Sequence, residues 1–207
     1  MAAASIDPRG ASKAMKLTIG VMGSSGGELS EEVRAKAYRL GEAIAERDAI
    51  IITGGCPGLP YEAVKGAKAK GGLVIGISPG LSIDEHQGKY GSPVEGFDVL
   101  IYTGSGLMGR EITNIRSCDI VVIVGGRTGT LGELAIAYDE GRLIGVLTGT
   151  GGITEIVETI IGASGKETGA CVLYDDDPAR LVDRLIQYYH TEHFRKPSCF
   201  CDAHREG

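Results

Sequence analysis

The sequence predicts an α/β fold: a three-layer, doubly wound (Rossmann-like), mostly parallel sheet in a single domain. Short apolar runs alternate along the chain with helical patterns, which is typical of right-handed β–α–β units. The runs are continuous rather than alternating in polarity, so both faces of each strand are expected to be buried. Residues 16–190 are expected to form this domain, after a disordered lead-in at 1–15 and before a polar tail at 191–207.

The individual elements follow from local signals. Apolar runs predict strands at residues 17–22, 49–53, 73–77, 98–102, 120–124 and 143–147, with a short seventh strand at 171–173. The first helix is expected to begin after Ser30, a good N-cap residue that Glu31 and Glu32 follow. Further helices are predicted at 61–70, 108–117 and 153–161, from near Thr130, and after the pair Asp177 and Pro178. The polar segment 82–93 is expected to be a loop.

Glycine is the unusual feature of the composition, with 33 of 207 residues against a usual share of about 7%. Clusters at 23–27, 54–58, 104–106 and 125–129 follow predicted strands, which places them at the carboxyl edge of the sheet. Glycine lets main-chain N–H groups approach an anion, and the following helix adds a partial positive charge. One such cluster is as consistent with a tight turn, but four at one edge favour a phosphate-bearing, nucleotide-type ligand. The candidate binding residues are Gly23, Ser24, Ser25, Gly54, Gly55, Gly58, Gly125, Gly126, Thr128, Gly129 and Thr130.

Two charged residues are expected beside this edge. Arg110 lies on the helix before strand 120–124, and Glu133 follows the glycine turn after that strand, in the first turn of the next helix. Ordinary interpretations stay open, since a carboxylate there compensates the helix dipole and an arginine is often a surface charge. A carboxylate at Glu133 would also repel the phosphate of a ligand bound at the glycine turn. Its presence there is explained if it contacts a sugar hydroxyl of the ligand or an attacking water. The chain has no G-x-x-x-x-G-K-[ST] loop and departs from G-x-G-x-x-G, which disfavours P-loop NTPases and NAD-dependent dehydrogenases.

The segment GGRTGTLGE at 125–133 resembles the P-G-G-x-G-T-x-x-E motif of the LONELY GUY family, whose members are often labelled lysine decarboxylase-like. Other elements similar to that family are the Gly23-Ser24-Ser25 loop, the GGCPGL turn at 54–59 and Met108-x-Arg110. The resemblance covers residues 16–190 and extends to a superfamily that includes molybdenum cofactor carrier proteins and DprA-like proteins. The chain departs from the family at Val124, where the family has Pro, and at Glu111, where it has Lys.

The resemblance implies a nucleotide-binding domain that acts as a nucleoside 5′-monophosphate phosphoribohydrolase, an enzyme that cleaves the bond between base and ribose. Arg110 and Glu133 would be the catalytic residues: the arginine holds the substrate, and the carboxylate orients water or stabilises an oxocarbenium-like centre. The N–H groups of Gly126 and of residues 128–130 would hold the phosphate. The alternative is a non-catalytic molybdenum cofactor carrier or nucleotide sensor, which Glu111 favours.

The same resemblance implies the ligands and the assembly. No cofactor or metal is required, and the bound molecule would be a nucleotide or molybdopterin. A homodimer or higher homo-oligomer is implied as well, because the family's sites are completed across a dimer.

Composition disfavours other partners. A net charge of −6, a pI near 5.3 and the lack of Trp disfavour nucleic acid, and no apolar run is long enough for a membrane span. The N-terminus lacks a signal-peptide pattern and the five cysteines lack framework spacing, so a cytoplasmic protein is expected. Cys199, Cys201 and His204 form a C-x-C-x-x-H pattern, for which a surface tail without metal is the simpler interpretation.

Overall fold

The computed structural model describes residues 15–193, in which seven strands form one sheet flanked by helices. The strands are β1 (Thr18–Gly23), β2 (Ile50–Thr53), β3 (Val74–Ser78), β4 (Val99–Tyr102), β5 (Ile120–Val124), β6 (Leu143–Leu147) and β7 (Cys171–Asp175). The helices are α1 (Glu31–Glu46), α2 (Leu59–Ala69), α3 (Gly106–Arg116), α4 (Thr128–Asp139), α5 (Val157–Ser164) and α6 (Pro178–Thr191). A π-helical turn, Glu85–Lys89, follows β3, and a 3-10 turn, Gly152–Glu155, precedes α5. None of the helices in this part of the chain combines the length and apolar character needed to cross a bilayer.

Every strand pair is parallel, and the strand order is β4-β3-β2-β1-β5-β6-β7. The chain winds outward from β1 in one direction and from β5 in the other, so the topology reverses between these neighbours. Their register pairs Gly23 with Val124 at the carboxyl ends. Open parallel sheets bind ligands outside such a reversal point. The predicted doubly wound α/β fold is confirmed, and the sheet is wholly parallel.

Two apolar layers attach the helices to the sheet. One layer, with Leu40, Ile51 and Leu185, packs α1, α2 and α6 on one face. The other layer, with Ile123 and Leu134, packs α3, α4 and α5 on the opposite face. The central strands β5 and β6 are therefore buried along their whole length, as their continuous apolar runs predict.

The edge strand β4 does not have the predicted burial on both faces. Val99 is 49% exposed and Ile101 is 45% exposed. The physical reason is position, since β4 is the outermost strand and pairs only with β3. Its apolar side chains remain available for contact with another surface.

Two glycines let α1 and α2 cross in close contact. A Cβ atom on Gly41 would overlap the main-chain carbonyl of Ala63, and one on Gly66 would overlap that of Tyr38. Each helix thus places a glycine against the backbone of the other. Part of the glycine surplus therefore serves helix packing and not the carboxyl edge of the sheet.

One local prediction is wrong, and two predicted helices differ from the structure in their boundaries. Segment 82–93 is not an irregular loop, because its π-helical turn buries His86, whose ring nitrogens lie 2.8 Å from Ser78 Oγ and 2.9 Å from the Pro93 carbonyl. Helix α4 begins at Thr128 rather than near Thr130. The predicted helix 153–161 is divided into the 3-10 turn and α5, which extends to residue 164.

Candidate functional site

A cavity of about 370 Å³ opens at the carboxyl edge of the sheet, beside the reversal point between β1 and β5. The end of β1 forms its base, and α3 and the first turns of α2 and α4 form its sides. Most of the predicted site residues lie on its wall: Gly23, Ser24, Ser25, Gly54, Arg110, Thr128, Gly129, Thr130 and Glu133. The fold therefore brings together residues from the turns after β1 and β2 and from helices α3 and α4.

The predicted residues Gly55, Gly58, Gly125 and Gly126 lie next to this wall and shape its turns. Gly125 donates its N–H to Thr150 Oγ1 over 2.8 Å, and Gly126 donates to Ser24 Oγ over 2.7 Å. A Cβ atom on Gly58 would overlap the main-chain carbonyl of Ser24. Because the Gly126 N–H already has a partner in the chain, we do not count it among the donors available to a ligand.

The N-terminus of α4 faces the cavity without a side-chain cap. Arg127 occupies the N-cap position but makes no capping hydrogen bond, and the first turn contains no acidic residue. Thr128, Gly129 and Thr130 line the cavity at this point. The first N–H groups of a helix have no intrahelical partner and carry partial positive charge, which suits them to an anion.

Arg110 lines the same cavity from α3 and is buried, with 7% of its surface exposed. It is held over Gly54, where any Cβ atom would overlap the guanidinium, and its Nη1 donates to the Ile77 carbonyl over 3.4 Å. Its Nε is buried without a hydrogen-bond partner, and within residues 15–193 it forms no ion pair. Burying a cation whose hydrogen-bond donors have no acceptor is costly unless an anion pairs with the charge and accepts those hydrogen bonds.

Glu133 lines the same cavity from α4 and is also 7% exposed. Because α4 begins at Thr128, Glu133 belongs to the second helical turn, so the expected first-turn compensation of the dipole does not apply. Burial raises the pKa of Glu133 to about 7; Arg110 opposes that rise and the carboxylate of Glu111 adds to it. Glu133 can therefore hold or release a proton near neutral pH.

This ionisation gives a testable dependence of stability on pH. The folded-state pKa of Glu133 lies above its ordinary value of 4.5, so its ionisation costs the folded state nothing below about pH 4.5. The cost grows as the pH rises and is complete above about pH 7, where it reaches about 3 kcal/mol. We expect Glu133→Gln to be more stable relative to wild type at pH 8 than at pH 5, by urea unfolding. An equal difference at both pH values would contradict the assignment.

Glu111 stands where the resembled family has lysine, and it also lines the cavity. Only 6% of it is exposed, and its carboxylate lies beside Gly129 and Gly132 on α4. Burial raises the pKa of Glu111, with Arg110 acting in the opposite direction. A negative charge at this place weakens the attraction of the helix terminus for an anion.

Sequence reasoning did not identify Asn114, which lies one helical turn after Arg110 on α3 and donates from Nδ2 to Glu133 Oε1 over 3.3 Å. The helical spacing of Arg110 and Asn114 is the signal that could have found it.

Cys56 lines the cavity as a neutral thiol, because burial raises its pKa. His86 was also missed; it packs under Gly55 and supports the turn after β2.

No group of three or more His, Cys, Asp or Glu side chains in residues 15–193 is arranged to hold a metal ion. The aspartates at and after the end of β7 have other partners: Asp175 pairs with Arg180 and Arg184, and Asp177 caps α6. Cys199, Cys201 and His204 lie outside the described residues, as do most of the predicted lead-in and tail.

Comparisons with known proteins agree with this architecture. The SLOG cluster4 family matches residues 16–182. An uncharacterised protein of Archaeoglobus fulgidus is 40% identical over 134 residues, which is 64% of this chain and 82% of that protein. The molybdenum cofactor carrier protein of Chlamydomonas reinhardtii is 32% identical, with a TM-score of 0.67 over 84% of this chain and 98% of its own. The molybdenum cofactor binding protein of Rippkaea orientalis is 28% identical, with a TM-score of 0.70 over 86% of this chain and 99% of its own.

Proposed function

The chain belongs to the SLOG cluster4 family, and from this premise we propose that its cavity binds a small phosphorylated ligand of the nucleoside 5′-monophosphate class. In this proposal the N–H groups of Thr128, Gly129 and Thr130 hold the phosphate, and Arg110 neutralises its charge. The rest of the ligand occupies the cavity between α3 and the β2 turn. A cavity of about 370 Å³ falls in the usual range for small-molecule sites.

One observation carries the proposal: a buried arginine that forms no ion pair within residues 15–193 lines the same cavity as an uncapped helix N-terminus. Arg110 keeps an unused Nε donor in a buried position. Helix α4 keeps its first N–H groups free of a side-chain cap. Both features are unfavourable in the ligand-free chain, and one anionic group satisfies both.

Calorimetric titration with AMP, adenosine and inorganic phosphate tests this function. We expect AMP to bind at least about tenfold more tightly than adenosine, because adenosine leaves Arg110 and the helix terminus without their anion. Inorganic phosphate should compete with AMP. Equal affinity for AMP and adenosine, or no competition by phosphate, would overturn the proposal.

Hydrolysis of the base–ribose bond is the finer proposal for the same ligand. Glu133 supports it, because a buried carboxyl group with a pKa of about 7 can orient water or stabilise positive charge on the sugar near neutral pH. Incubation with AMP or N6-prenylated AMP, followed by an assay for ribose 5-phosphate, tests this step. Tight binding without any ribose 5-phosphate would leave a binding protein and not a hydrolase.

The second candidate ligand is molybdenum cofactor, whose pterin carries a phosphate. Glu111 favours it, since this residue replaces the lysine of the resembled hydrolases, and two structurally similar proteins are named for that cofactor. The same helix terminus and Arg110 would hold the pterin's phosphate. Pterin fluorescence released by mild denaturation of the purified protein supports this candidate, and its absence together with AMP binding favours the nucleotide.

Glu111→Lys should strengthen the binding of AMP. The substitution replaces a negative by a positive charge beside the helix terminus, for which we expect about a tenfold gain in affinity. Glu167→Lys makes the same change in an exposed segment before β7 and serves as the control. An affinity that does not rise in Glu111→Lys, or that rises equally in the control, would contradict the placement of the phosphate.

We further propose that the chain forms a homodimer through an apolar surface on β4, α3 and the turn after β3. Its exposed residues are Leu81, Ile83, Val99, Ile101, Tyr102, Leu107, Met108 and Ile112. Leu107 also lines the cavity, so a partner seated there would lie beside the ligand. Exposed apolar patches of this kind are typical of protein interfaces.

Ile112→Glu should dissociate this dimer, because it places a charge within the apolar surface. Ile156→Glu is the matched control, since Ile156 is similarly exposed but lies on the loop before α5. Light scattering after size exclusion measures the mass of both variants. A dimer that survives Ile112→Glu, or a wild type that is monomeric, would contradict this surface.

A cytoplasmic location is also part of the proposal, as is the absence of nucleic-acid and membrane partners. The free thiols of Cys56, Cys118 and Cys171 support a reducing compartment. The net charge of −6 supports a ligand that is small rather than a polyanion.

A further inference from the structure

Asn114 lies on α3 and is fully buried against α4 and β1, yet the carbonyl oxygen of its side-chain amide has no hydrogen-bond partner. Its Nδ2 donates to Glu133 Oε1 over 3.3 Å and lies 3.1 Å from Met22 Sδ, whereas its buried Oδ1 has no partner. A buried acceptor without a partner costs about 1–3 kcal/mol. An apolar side chain would avoid that cost, so the amide needs a reason beyond packing.

The reason lies in the two protonation states of its neighbour. An ionised carboxylate can only accept hydrogen bonds, whereas a protonated one also donates an O–H. The two ends of an asparagine amide have the same shape, and its terminal torsion has two broad minima. Nδ2 therefore matches the ionised carboxylate of Glu133, and Oδ1 matches the protonated form after a half-turn of the amide.

Other groups near Glu133 do not offer this choice. Arg110 and Glu111 on α3, Cys56 in the turn after β2 and Cys118 just after α3 interact electrostatically with Glu133. The guanidinium has donors only, and both thiols are weak hydrogen-bonding groups. The Glu111 carboxyl group can also change between hydrogen-bond donor and acceptor, but within the described residues it forms no hydrogen bond with Glu133.

We propose that Asn114 is a positioning residue that holds the Glu133 carboxyl group in place in both protonation states by turning its amide. Glu133 can then gain or lose a proton without moving its oxygens away from the cavity. The relevance to ligand chemistry rests on the proposed function, whereas the positioning itself is a property of the ligand-free chain.

NMR titration of the ligand-free protein tests the proposal without any variant. The Glu133 side-chain carbon and the Asn114 side-chain amide are followed from pH 5 to pH 9. We expect both signals to titrate with the same midpoint, and the Asn114 signal to stop titrating in Glu133→Gln. An Asn114 amide that does not respond to the ionisation of Glu133 would overturn the proposal.

Asn114→Leu adds an independent measurement. The lost hydrogen bond is charge-assisted, and therefore stronger, when Glu133 is ionised than when it is protonated, so we expect the acid dissociation constant of Glu133 to fall about tenfold. Asn114→Ser, which keeps a group that both donates and accepts, should restore part of the shift. An unchanged midpoint in Asn114→Leu would count against positioning. Failure of AMP to bind would remove the proposed function but leave these titrations intact, which separates the two.

Discussion

Arg110→Met is expected to weaken the binding of AMP by at least about thirtyfold and to leave the ligand-free protein as stable as wild type, or more stable. Removing one partner of a buried, hydrogen-bonded charge pair costs about 2–5 kcal/mol of binding energy. In the ligand-free chain the guanidinium is buried with an unused Nε, so an apolar side chain of similar length relieves the cost of its burial.

The stability comparison belongs at pH 6, where Glu133 is mostly protonated because burial raises its pKa to about 7. At that pH the loss of the nearby cation leaves no ionised Glu133 carboxylate without compensation, and the Glu111 carboxyl, whose pKa burial also raises, is the remaining acidic group. Arg116→Met is the matched control, since Arg116 lies on the same helix but is exposed and paired with Glu140. An affinity for AMP within threefold of wild type, or a marked loss of stability, would show that Arg110 serves the fold and not a ligand.

Gly41→Ala is expected to destabilise the protein by about 1–3 kcal/mol, the usual cost of overpacking a close contact. A Cβ atom on Gly41 would overlap the carbonyl of Ala63, which belongs to the backbone of α2 and cannot turn away. The two helices must therefore move apart along a crossing where Gly66 makes the reciprocal contact. Urea unfolding followed by circular dichroism measures the change.

Gly162→Ala is the matched control for this prediction. Gly162 also lies within a helix, α5, but no atom is near the position of its missing Cβ. There alanine should raise stability by about 0.5–1 kcal/mol through its better helix propensity. If Gly41→Ala is as harmless as Gly162→Ala, the close crossing of α1 and α2 is not present in solution.

The elements of the fold could be predicted from sequence because their signals are local. The apolar runs at 120–124 and 143–147 are buried strands, and Ser30 and Asp177 cap the helices that they precede. The strand order and the reversal between β1 and β5 are not local, and they determine which strand is at the edge. The exposure of β4 could therefore not be read from its apolar sequence alone.

The start of α4 was misplaced for a similar reason. Thr128 and Gly129 are weak helix formers, and the helix has no side-chain cap to mark its first residue. The segment around His86 depends on contacts with Ser78 and Pro93, which no periodicity shows. At His86 tertiary contacts override local propensity, whereas at α4 the sequence lacks a marker of the first helical residue.

The candidate site shows the same division between local and distant information. Glycine turns and the residues 128–130 could be placed at one edge because carboxyl ends of parallel strands meet there. Sequence could not show that the N–H groups of Gly125 and Gly126 donate hydrogen bonds to Thr150 and Ser24. Nor could it show the role of Asn114, because its contact with Glu133 depends on the packing of α3 against α4.

A crystal structure of the protein with AMP tests the central claim most directly. We predict the phosphate within hydrogen-bond distance of the N–H groups of Thr128, Gly129 and Thr130 and of the Arg110 guanidinium, with the nucleoside in the cavity. A phosphate bound away from α4, or a cavity that remains empty at millimolar AMP, would contradict the account.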